Sequence, residues 1–164
     1  MSALDAALLL PFTLLIGIWV AWNDMKFMKI PNKAVLALAG VFAVIGLILL
    51  PLPVWAWGLA MGAAVLGLGF LASTLGLMGA GDAKFAAAMA PFFVQGQMGF
   101  IMLLCSCCML GAFAAHRAAR AMPILRKHAP DWASWSHADF PMGLALAGIL
   151  NIYLILRAIP LAMA

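Results

Sequence analysis

Six runs of apolar residues fill most of the chain from residue 4 to residue 159, and polar, proline-rich or glycine-rich breaks separate them, all but the one at 116–140 short. The runs cover about 4–22, 34–50, 54–75, 83–94, 98–115 and 141–159. A helix that crosses a bilayer needs about 20 mainly apolar residues, because its backbone polar groups must be satisfied inside the segment where no water reaches. This pattern predicts an all-α polytopic bundle of about six transmembrane helices, a single membrane-embedded domain over residues 1–164 with no separate soluble domain. Composition points the same way: 68% of the residues are hydrophobic and only 9% charged. Soluble domains average about 45–50% and about 25%. A nucleic-acid partner would need a solvated basic domain, and the sequence has none.

The basic residues set the orientation. Lys26, Lys29, Lys33, Lys84, Arg117, Arg120, Arg126 and Lys127 all fall at alternate breaks, and Arg157 alone falls near the other side. The positive-inside rule makes the crowded side cytoplasmic and puts both termini outside. The first basic residue, Lys26, follows the first apolar run, so that run reads as a retained helix and not a cleaved secretory signal. Pro51-Leu52-Pro53 predicts a tight turn, with Trp55 and Trp57 as interface anchors. Gly58-x-x-x-Gly62, with Gly67 and Gly69, predicts close helix packing in the third span. The fourth run is short. About 12 residues rise only about 18 Å against a hydrocarbon core of about 30 Å. Either the bilayer thins there or Asp82 starts below the cytoplasmic surface.

Other polar features read as structural. Cys105, Cys107 and Cys108 lie in one apolar segment, with Cys105 and Cys108 on one helical face, and read as small packing residues. His116, His128 and His137 have no regular spacing, so no metal site is expected. The break at 116–140 carries Asp131, Asp139, Trp132 and Trp135, and reads as a polar interfacial segment that meets anionic membrane lipid.

The chain has no glutamate and five aspartates, of which Asp24 and Asp82 share a side and a depth. Acids beside membrane spans are costly and mark function. Two carboxylates close together cannot both ionise cheaply, so they share a proton. The ionised member can then take a proton from water while the protonated member polarises a scissile carbonyl, with no metal or other cofactor. Gly79 and Gly81 permit close approach of another chain. Lys26 and Lys84 either support the charge of the pair, meet an acid of the substrate, or snorkel to lipid phosphates. Pro31 and Asn32 read as the start of the second helix, with Asn32 capping its free N–H groups, or else as residues that contact the substrate or support the pair.

These residues carry a resemblance. Asp24-x-Lys26-x-x-x-Ile30-Pro31-Asn32, followed by Gly79-x-Gly81-Asp82-x-Lys84, resembles the type IV prepilin peptidases, polytopic aspartic peptidases of the GxGD class. A third segment, 140–148, looks like that family's proline-glycine start of the last span, with a middle that departs from the usual aromatic-glycine form. The resemblance implies that Asp24 and Asp82 are the catalytic pair. It also implies cleavage of a short basic leader from prepilin or pilin-like precursors at the cytoplasmic face of a bacterial inner membrane. Larger members add a cytoplasmic insert with two C-x-x-C pairs and N-methylate the product. This sequence has no such insert, so peptidase activity alone is expected, and the short form resembles the peptidases of Tad/Flp pilus systems. The competing reading is a non-enzymatic membrane protein, a small transporter subunit or assembly scaffold, in which the two carboxylates stand far apart.

Overall fold

The computed structural model describes residues 1–159 as an all-helical membrane bundle. Helix α1 spans Ala3–Phe27. Its start is a reciprocal cap: Asp5 N–H donates to Ser2 Oγ at 3.1 Å, and Ser2 N–H donates to Asp5 Oδ2 at 2.6 Å. Its end is Met28, held in the left-handed region at φ 53°, with its N–H on Asp24 O at 2.9 Å. The sequence reading stopped the first span at residue 22. The helix continues because Asn23, although polar, folds its amide back onto Trp19 O at 3.0 Å and leaves the backbone ladder intact.

Helix α2 spans Asn32–Leu49 with one π-helical turn, Phe42–Gly46. Trp55 is tied to that turn by a 3.1 Å bond from its indole N–H to Ala43 O, which staples two helices. Helix α3 is Leu52–Thr74. Helix α4 is Ala80–Met89, continued by a 3-10 turn, Ala90–Phe93. Helix α5 is Met98–Ala121, α6 is the short Pro123–His128, and α7 is Met142–Ala158. Helices α1, α2, α3 and α5 are long and apolar enough to cross a membrane, and α7 is a shorter apolar helix.

The short α4 and its 3-10 turn rise about 23 Å. Its neighbours explain why that is enough. Ala83, Phe85 and the whole stretch from Ala87 to Phe93 are buried. Phe92 meets Phe42 of α2 edge-on at 5.2 Å, and Phe93 meets Tyr153 of α7 at 4.7 Å. Helix α3 closes against α4 through glycines: a Cβ on Gly69 would lie 2.9 Å from Ala83 Cβ, and one on Gly62 would lie 3.0 Å from Pro91 Cγ. Gly67 has nothing within 4 Å and takes no part in this packing. A helix enclosed by protein need not match the thickness of the lipid. Helix α5 is its opposite, a peripheral helix whose only buried residues are Leu104 and His116. Cys105 and Cys108 pack toward the core from it and Cys107 is exposed, as helical spacing requires.

Contacts along α1 and α7 and at both ends of that pair fix the remaining geometry. Helix α1 lies against α7 where a Cβ on Gly17 would overlap the Asn151 side-chain amide. At one end of that pair, the Arg157 guanidinium donates to Met1 O at 2.7 Å. At the other end, the segment after α5 folds back as an aromatic cluster. Trp22 packs on Trp132 (5.1 Å), Trp132 stacks on Trp135 (5.4 Å), Trp135 stacks on His116 (5.8 Å), and His116 meets Phe140 (5.7 Å). His116 belongs to α5 and is buried among these rings.

Candidate active site

The buried stripe of α1 leads to Asp24. Thr13, Ile16, Gly17, Val20 and Asp24 recur at helical spacing and are all buried, so the carboxylate continues the face that packs on α7. Asp24 is only 5% exposed. Its Oδ2 accepts a 2.6 Å hydrogen bond from the backbone N–H of Gly143, at the start of α7.

Asp82 reaches the same region from α4. Gly79 is the N-cap of that helix, which makes Asp82 its third residue, where a carboxylate naturally folds back over the cap. A Cβ on Gly79 would lie 2.5 Å from Asp82 Oδ2, so the glycine clears room for the carboxylate of its own chain. Gly81 has a looser role: its Cβ would come 3.4 Å from Ile30 Cβ, an ordinary contact.

Asp24 and Asp82 both line one cavity of about 320 Å³, together with Lys29, Asn32, Gly79, Gly81 and Lys84. Chemically, two carboxylates on one cavity can supply a proton acceptor and a proton donor to a group bound in it. The Lys84 ammonium donates to Asn32 Oδ1 at 3.3 Å. Asn32 therefore does not cap α2; it is the first residue of that helix, and its side chain serves Lys84 across the cavity. Pro31 is the extended N-cap residue and lies outside the lining. Lys26 also lies outside, with its ammonium over the Phe27 ring at 5.2 Å. Asp131 and Asp139 are exposed, and Asp139 Oδ2 faces His137 Nδ1 at 3.5 Å.

Sequence reasoning did not single out Met28, Lys29 and Ile30 as lining residues, nor Gly143 as a donor. The first three sit inside the Asp24-to-Asn32 segment, which was the available signal. Gly143 acts through its backbone, and its signal was the proline-glycine pattern at the start of α7.

A second, apolar groove of about 550 Å³ runs between α2 and α3 over α4. It shares Asn32 and Lys84 with the carboxylate cavity, so the two spaces meet at that pair.

The family model of the type IV leader peptidase family matches residues 10–115, a stretch that contains both Asp24 and the Gly79-to-Lys84 segment. No curated protein and no solved structure matches the chain. The family match spans more than half of the 164 residues and coincides with the two segments that wall the carboxylate cavity, and on that ground the chain belongs to the type IV leader peptidase family.

Proposed function

We propose that this protein is an aspartic prepilin peptidase that hydrolyses the leader of pilin-like precursors with Asp24 and Asp82. The observation that carries the reading is the meeting of these two carboxylates on one cavity, from helices 58 positions apart in sequence, within a chain of the leader peptidase family. The pair shares one proton. The ionised carboxylate takes a proton from water as the water oxygen bonds to the scissile carbonyl carbon. The protonated carboxyl gives its proton to the carbonyl oxygen, forming a neutral tetrahedral diol. Return of a proton to the amide nitrogen breaks the C–N bond and releases a carboxylic acid and an amine, with no covalent enzyme intermediate.

The precursor's apolar helix lies in the groove between α2 and α3, which supports this placement by joining the carboxylate cavity at Asn32 and Lys84. Gly79 supports the pair by clearing space for Asp82, while Lys84 and Asn32 brace the junction. Gly81 keeps that wall low, and Pro31 and Lys26 act from outside the cavity, Pro31 by fixing the start of α2. The membrane is the bacterial inner membrane, with the cavity on the cytoplasmic side, both termini outside, and a Tad/Flp-type pilin as the substrate. N-methylation of the product is not part of the proposal.

Co-expression with candidate pilin-like precursors tests the reading by precursor size on a gel. Wild type shortens the precursor, and Asp24→Asn and Asp82→Asn leave it full length. Shortening by either variant overturns the aspartyl mechanism.

A further inference from the structure

We infer that the start of α7 is a positioning element of the hydrolytic site, in which the Gly143 N–H holds Asp24 Oδ2 as an acceptor and leaves Oδ1 to carry the proton shared with Asp82. The inference rests on the reading of Asp24 and Asp82 as the catalytic pair.

Gly143 is the second helical residue after the N-cap Pro141. The first N–H groups of a helix have no partner within it. Here one of them is aimed at a buried carboxylate 119 positions away, at 2.6 Å, the short distance of a charge-assisted bond. An N–H donor requires a lone pair on the oxygen it meets. A protonated oxygen accepts more weakly than its bare partner, so this donor favours a proton of Asp24 on the other oxygen.

Space gives a second, independent constraint. A Cβ at position 143 would stand 2.9 Å from Asp24 Oδ2, 3.0 Å from its Cβ and 3.1 Å from its Cγ. The Cβ of Asp24 is one bond from a helical backbone and cannot swing aside. Donor and glycine thus define one orientation of the carboxylate.

The aromatic cluster holds both partners of this bond. Trp22 stands two residues before Asp24 and packs on Trp132. Phe140 stands three residues before Gly143 and packs on His116, which stacks on Trp135. The chain Trp22, Trp132, Trp135, His116, Phe140 therefore ties the end of α1 to the start of α7, on both sides of the hydrogen bond.

Two changes at one position separate the donor from the space. A backbone ester at 143, with glycolate in place of Gly143, removes the N–H and adds no atom. It lowers kcat about tenfold to a hundredfold with KM unchanged, the loss expected when one hydrogen bond to a charged group is removed. Gly143→Ala keeps the donor and displaces the carboxyl, lowering kcat about a hundredfold. Infrared spectroscopy of purified protein, with the Asp24 carboxyl band identified by its absence in Asp24→Asn, gives a readout independent of activity. That band shifts in the ester and alanine proteins. An ester protein with wild-type kcat, or with an unshifted Asp24 band, overturns the inference even when Asp24→Asn and Asp82→Asn are inactive. Cleavage by those two variants instead overturns the underlying reading of the pair.

Discussion

Lys84 Nζ stands 3.3 Å from Asn32 Oδ1, and this pair is the shared boundary between the carboxylate cavity and the apolar groove beside it. Lys84 is exposed and exposed pairs contribute little, so Lys84→Met changes folding stability by less than about 1 kcal/mol. It still removes the only ammonium that borders both spaces among the described residues. The expected result is a fall in kcat/KM of about tenfold with an unchanged melting temperature. Initial rates on detergent-solubilised precursor, beside a thermal unfolding curve, check both halves.

The groove itself is tested by filling it. Ala63 lines it from α3 and is exposed, so Ala63→Trp intrudes without disturbing the core. If the precursor's apolar helix lies there, KM rises about tenfold and kcat stays within about twofold, the pattern of lost uniform binding. An unchanged KM means that the groove holds only lipid.

The two glycines ahead of Asp82 differ in what they must clear. Gly79→Ala places a methyl against Asp82 Oδ2, and Gly81→Ala places one at ordinary contact distance from Ile30. Displacing a reacting group by about 1 Å costs about a hundredfold in rate. Gly79→Ala is therefore expected to lose about a hundredfold in kcat, and Gly81→Ala less than about tenfold. Equal losses, or the reverse order, would count against the placement of Asp82.

Met28 carries the backbone penalty of the turn that ends α1. Its φ of 53° is a left-handed conformation, unfavourable for any residue with a Cβ and worse for a branched one. Met28→Val is expected to lower stability by about 1–2 kcal/mol, while Met28→Gly does not lower it. Thermal unfolding in one detergent compares the three proteins.

The order of the spans was legible because a bilayer crossing leaves a long apolar run, and most runs correspond to helices within a few residues. The end of α1 was not, since hydropathy marks where lipid stops and not where the helix stops. The position of Asp24 was readable in principle from the spacing of Thr13, Ile16, Gly17 and Val20, all of which share its buried face. Two features left no local mark. The enclosure of α4 was hidden because apolar residues look alike whether they meet lipid or protein. The aromatic cluster was hidden because its rings come from α1, α5 and the segment before α7, which only tertiary contact unites.

The enclosure of α4 also separates the chemistry from its surroundings. If Asp82 serves a hydrolytic centre, as proposed, a helix walled mostly by protein passes on a change of acyl-chain length only after the outer helices have tilted to absorb it. Turnover in vesicles of short-chain and long-chain phospholipid should therefore differ little.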